Sequence, residues 1–291
     1  SLSIFSPEGT LSQVEYALEA VKKGGLSIGM IGNKCIILAA ERKAVPKLQD
    51  QRTIRKINRI DSHIAMTFAG IIADSRSLSD YARYQSQSCR YSLDISPTVD
   101  NIAKDTAFKM QEYTQKAGVR PFGLSCIIAG FDEGKDEPKL YLTDPSGQVT
   151  MWKAGAIGKN SDKVLGILEE KYKDNMTEDE VLKCTIDAML QYVEAGSKNM
   201  EVAVIKPGNQ FNIVPDDKIE EIIKNKVQHG KALAIHTRET ADEKKFRIRL
   251  TCKDDDDEKR ERIKSLEYLK MFENALLTEV SLCGIDSIKK V

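Results

Sequence analysis

Between Ser12 and Lys23 the apolar positions recur at helical spacing, with Val14, Ala17, Leu18 and Val21 on one face. Ser12 followed by Glu15 predicts a capping box, Lys22 and Lys23 suit the negative end of the helix dipole, and Gly24 stops the helix. Ser6-Pro7-Glu8-Gly9 ahead of it reads as a turn. Beyond Gly25 the pattern becomes one of short apolar runs: "LSIGMI" and "CIILAAE" flank the hairpin signal Gly32-Asn33-Lys34, and "HIAMTFAG" is a further strand. Helices are predicted over 72–90 and 98–117. Three strands follow, "LSCIIAGFD", "PKLYLTD" and "QVTMWKAG", joined by turns at 132–138 and 145–147. Two more helices are predicted over 160–173 and 177–195, the second opened by a Thr177/Glu180 capping box. A hairpin of "MEVAVIK" and "QFNIV" then turns at Pro207-Gly208, and a last helix spans 216–226.

The order is strands, two helices, strands, two helices, strands. The strands are joined by tight turns rather than by single crossover helices. That predicts an α+β fold, a four-layer αββα sandwich with two antiparallel sheets between helix layers. The main domain covers 1–227, with 1–24 as its N-terminal turn and helix. Residues 228–291 read differently: an alternating stretch "FRIRLT", an acidic run at 254–258, then Leu266, Leu269, Phe272, Leu276, Leu277 and Val280 roughly on one helical face. This extension is expected to be partly helical or disordered.

Composition narrows the chemistry. The 291 residues carry 44 basic and 44 acidic side chains, so the basic excess of a nucleic-acid or membrane-surface binder is missing. No apolar run is long enough for a transmembrane helix, and the opening residues do not have the pattern of a secretory signal. The six cysteines, at 35, 89, 126, 184, 252 and 283, form no CxxC pair, which fits reduced thiols in the cytoplasm or nucleus. His63, His229 and His236 show no ligand spacing, and the acidic run lacks the spacing and glycine of a calcium loop, so no metal or cofactor is expected.

The stretch "IFSPEGTLSQVEYALEAVKKG" resembles the N-terminal signature of proteasome alpha subunits. The resemblance continues through "KLQDQRTIRKI", "FAGIIADSR", "RPFGLSCIIAGFD", "TDPSG" and "WKAGAIGKNSD", over about residues 1–227; "YTQKAGVRPFG" and "AGSKNMEVAV" look most like the alpha type-7 kind. The resemblance implies the N-terminal nucleophile (Ntn) hydrolase sandwich. It also implies a place in an outer ring of seven alpha subunits, stacked on beta subunits and docking an ATPase regulatory particle or other activators in ubiquitin-dependent degradation, in cytoplasm and nucleus. Active beta-type relatives start their first strand with a threonine whose own free amine is the base. The matching position here is Gly25, with Glu41 where those relatives carry an acid and Lys56 where they carry a lysine, so no catalytic residue is expected.

Lys56 is implied to line a pocket between neighbouring alpha subunits that receives an activator's C-terminal carboxylate, with Gly70 and Ile71 on the same pocket; for these two, simple packing of a strand end on a helix explains the residues equally well. Arg52, Arg55 and Arg59 read as a solvated basic face. Pro7, Glu15 and Tyr16 match gate or activator-contact positions, although the capping box alone accounts for Glu15 and packing alone for Tyr16. The family's Tyr-Asp-Arg segment would precede "SIFSPEG", so the gate cluster is expected to be incomplete in a sequence opening at Ser1. Two other readings stay open. One is an active Ntn hydrolase of the beta type, against which Gly25 argues; Ser1, followed by a turn approach and not a core strand, is not expected to be a nucleophile, and Ser27 is expected to be structural. The other is a binding protein outside the proteasome that uses its tail, for instance on RNA.

Overall fold

The computed structural model describes residues 4–42, 48, 55–193 and 199–224. Ser1, Arg52 and the extension 228–291 lie outside them. The chain divides into the units Ser1–Ile219 and Glu220–Val291, and the architecture below is that of the first.

Helix α1 (Ser12–Lys22) leads into β1 (Ser27–Gly32), β2 (Cys35–Glu41), β3 (Ile57–Arg59) and β4 (Ile64–Gly70). Helices α2 (Ile72–Leu93) and α3 (Val99–Gln115) follow, then β5 (Leu124–Phe131), β6 (Pro138–Thr143), β7 (Val149–Met151) and β8 (Ala154–Ile157). The last named elements are α4 (Ser161–Lys171), α5 (Glu178–Leu190), β9 (Met200–Lys206) and β10 (Gln210–Ile213). The expected last helix is helical over 216–224, the end of the described residues.

Two five-stranded sheets form, in the orders β10-β9-β2-β1-β8 and β3-β4-β5-β6-β7. Every pairing is antiparallel. Alternation along the strands builds two cores at once, because successive side chains point to opposite faces. Ile127 and Ala129 of β5 meet Ile36, Leu38 and Ala203 of the other sheet, while Cys126 and Ile128 face Leu78, Ile102 and Met110 of α2 and α3. Helices α4 and α5 cover the outer face of the first sheet. The layers are therefore α, β, β, α, the expected Ntn sandwich.

Two local readings need correction. Ser12 does not cap α1: Leu11 is the N-cap and no side chain bonds there. The preceding turn is closed by Ser6 N–H to Thr10 O (2.8 Å) and Gly9 N–H to Ser6 O (2.9 Å), and it delivers an extended Leu11 one residue early, so Ser12 is already helical. The Thr177/Glu180 box does form, with Glu180 Oε2 accepting from Thr177 N–H and hydroxyl, each at 2.8 Å. "QVTMWKAG" is two strands in two sheets. Trp152 N–H bonds to Leu140 O (2.9 Å) in one sheet, and Lys153 O accepts from Ile31 N–H (2.9 Å) in the other. Arg55 and Arg59 are exposed, as a solvated basic face requires, while Ile57 between them is buried in the short strand β3.

Candidate functional site: the corner of Gly25, Glu41 and Lys56

The junction of α1 and β1 explains why a helix is packed against the start of a strand. Gly24 O accepts Lys159 N–H (2.9 Å), and Leu26 N–H donates to Glu41 Oε2 (2.8 Å) while Leu26 O receives Glu41 N–H (2.7 Å). Backbones here approach too closely for side chains. A Cβ on Gly24 would lie 2.3 Å from Gly70 N, one on Gly70 2.2 Å from Gly123 O, and one on Gly158 2.6 Å from Gly25 O. Gly70 also holds φ +125°, a conformation that favours glycine.

Gly25 differs from these. What a Cβ would meet there is two charged side chains: Lys56 Nζ at 2.5 Å and Glu41 Oε2 at 3.2 Å. An ammonium and a carboxylate thus converge on a residue that has no side chain. Lys56 is 5% exposed, and its Nζ lies 5.8 Å from the centroid of the Phe68 ring. Its backbone N–H donates to Glu201 Oε2 at 2.9 Å. Ser27, the nearest hydroxyl in sequence, donates to Phe68 O (2.8 Å) and is fully buried.

The rim is set by the first turn of α2. Ile71 N–H bonds to Gly123 O (2.9 Å), and Gly123 N–H bonds to Asp74 Oδ2 (3.0 Å). Ile71 and Ile72 are 39% and 46% exposed, so α2 opens with two apolar side chains in the open. Burial pushes the Asp74 carboxyl up, but the Arg120 guanidinium and the Gly123 N–H outweigh it and hold it below the ordinary range.

The sequence-predicted residues fall into two groups. Gly25, Glu41 and Lys56 meet, and Gly70 and Ile71 adjoin them through Gly24 and Gly123. Pro7, Glu15 and Tyr16 lie on the N-terminal side of α1, Glu15 in its first turn and Tyr16 following it near mid-helix. Pro7 lies in the turn before the helix, and Tyr16 is 65% exposed rather than packed. Glu201 was not singled out by sequence reading. Its one signal was a charge inside "MEVAVIK", where every neighbour is apolar. Among the described residues no cluster of three or more His, Cys, Asp or Glu could hold a metal ion, and no helix is long and apolar enough to cross a membrane.

Residues 21–205 match the family described as proteasome subunit, and residues 1–20 match the N-terminal signature of its A-type members. The chain belongs to the proteasome alpha-subunit family. It is 46% identical over 223 residues to the alpha type-7 proteasome subunit of Dictyostelium discoideum, covering 77% of this chain and 88% of that one. Against alpha type-7-B of Arabidopsis thaliana it is 49% identical over 205 residues (70% and 82%), and against alpha type-4 of Saccharomyces cerevisiae 44% over 227 residues (77% and 89%). Membership makes the chain a structural subunit of the alpha ring that assembles with other proteasome subunits, and alpha-type members are generally non-catalytic. The signature match ends at Ala20 and the main match begins at Val21. The corner of this alpha-type chain therefore lies within the family's main domain, just after the signature helix.

Proposed function

We propose that this chain is an inert wall of the alpha ring whose corner has been turned from cleaving peptides to docking a carboxylate. One observation carries the reading: Lys56 Nζ stands where the side chain of residue 25 would begin. A threonine-type mechanism needs a hydroxyl there and a free amine on the same residue. Gly25 has no hydroxyl, and its nitrogen is tied in a peptide bond behind a complete helix. The surviving ammonium, in a largely dry setting, suits the C-terminal carboxylate of an activator tail, and such a charge-assisted bond contributes about 1.5–3 kcal/mol. Gly70 and Ile71 form the adjoining wall of that pocket, and Pro7, Glu15 and Tyr16 serve the gate at the outer end of α1. The partners are the other subunits of a seven-membered alpha ring, the beta ring, and the ATPase regulatory particle or other activators. The work is controlled admission of substrates in ubiquitin-dependent degradation, in cytoplasm and nucleus.

The test is Lys56→Ala in an assembled core particle. The ratio of activator-stimulated to unstimulated peptide hydrolysis should fall; a ratio equal to that of the unsubstituted particle overturns the docking role. The competing reading, an active hydrolase, requires the chain to react with an electrophile directed at N-terminal threonine or serine. The absence of a nucleophile at Gly25 predicts none.

A further inference from the structure

Two parts of the chain that flank residues 43–54 are tied to the same strand. Arg42 N–H donates to Asn199 O (2.7 Å), beside the start of β9, and Lys56 N–H donates to Glu201 Oε2 (2.9 Å), within β9. Glu201 pairs in register with Ala40 of β2 and is 1% exposed. Its Oε2 lies 3.6 Å from Arg42 Nε, an ion pair without a hydrogen bond, and among the described residues its Oε1 accepts no bond at all. A carboxylate this deep, with one oxygen unused, is costly. The other buried residues of β9, Met200 and 202–205, are all apolar. The bond that an apolar side chain could not replace is the one to the Lys56 backbone.

That bond matters because the ammonium sits in a buried place: Lys56 is 5% exposed and its Nζ lies 2.5 Å from where a Cβ on Gly25 would stand, so a shift of the Lys56 backbone moves Nζ relative to the corner. We infer that Glu201 is a positioning residue for Lys56: it fixes the backbone from which the ammonium reaches the docked carboxylate. The inference rests on the docking reading above.

The experiment uses assembled core particles and a synthetic tail peptide with a free C-terminal carboxylate and a photocrosslinking side chain. The readout is the peptide concentration that half-saturates crosslinking to this chain. Glu201→Ala should raise it about tenfold, and Glu201→Gln, whose amide oxygen still accepts the Lys56 N–H, should stay within about threefold. The amidated peptide should crosslink weakly and equally to all particles. A wild-type value for Glu201→Ala overturns the inference, as does a Glu201→Gln particle as weak as Glu201→Ala. If Glu201→Ala does not enter particles, Glu201→Asp, with its acceptor drawn back by one methylene, is read on the same scale: about tenfold weaker is expected, and no change overturns the inference. Lys56→Ala separates the two levels. If it saturates like wild type, the docking reading itself falls; if it loses saturation while Glu201→Ala keeps it, only the positioning role falls.

Discussion

Arg120 grips Asp74 with both ends of its guanidinium, Nη1 to Oδ2 at 2.7 Å and Nη2 to Oδ1 at 2.8 Å, across 46 residues of chain. The same carboxylate holds Gly123 N–H, so one side chain secures the loop that Gly70 and Ile71 lean on. Asp74→Asn should destabilise the fold by about 1–3 kcal/mol, because it weakens a charged pair and its backbone bond together. The pH dependence has a definite sign. The folded-state pKa is depressed, so the stabilisation is complete above the ordinary aspartate value of about 3.9 and fades as pH falls through the lower folded value. Thermal unfolding of wild type and Asp74→Asn at pH 7 and pH 3 checks this: the gap in melting temperature should shrink at the lower pH.

Asp61 is the stronger acid-sensitive anchor. Burial pushes its carboxyl up, but the Ser86 hydroxyl, Arg90 and the Ser62 N–H outweigh that and set it at about 2. Arg90 reaches it through Nε at 3.1 Å and Nη2 at 3.2 Å, and the short Ser86 hydroxyl contact lies on the same carboxylate. His63 stands beside it, its Nε2–H spent on Pro97 O at 2.8 Å. Asp61→Asn should cost about 3 kcal/mol at pH 7, since it leaves Arg90 half-buried beside a neutral amide. The loss should disappear in acid, because the wild-type contribution is present above about pH 4 and is removed as pH falls toward 2. Acid unfolding followed by circular dichroism should show the two proteins converging at the acid end of the scan.

Gly9 and Gly70 separate backbone conformation from crowding. Both have positive φ, +80° and +125°, but a Cβ on Gly9 meets nothing within 4 Å, while one on Gly70 would strike Gly123 O at 2.2 Å. Gly9→Ala should cost about 1–2 kcal/mol, the strain of the left-handed region alone. Gly70→Ala should cost more than about 3 kcal/mol or prevent folding, because the obstacle is backbone and cannot rotate away. Equal losses in chemical denaturation would refute the difference in crowding.

Much of the sandwich was legible because its strands are short, apolar and bounded by turn residues, and its helices carry clear faces. The legible signals were local. Thr177 and Glu180 sit three apart, so their box could be read; Ser12 and Glu15 have the same spacing, but a turn several residues earlier decided where α1 begins. The crossing at Trp152–Lys153 could not be read, since an alternating run looks the same whether one sheet or two receive its bonds. At the site, Gly25, Glu41 and Lys56 were found through the family pattern. Periodicity alone could not have joined residues so far apart in sequence. Glu201 was missed because a buried acid in a strand gives no sign of what it binds, and its partner is a backbone amide 145 residues away.

The strand change at Trp152–Lys153 also has a mechanical consequence. Neighbouring residues are bonded to different layers, one to Leu140 and the next to Ile31, so the chain rivets the two sheets together at that point. Shear between the layers would have to break one of those bonds or stretch a single peptide link. A load applied to one sheet at this point is therefore passed to the other through the backbone itself.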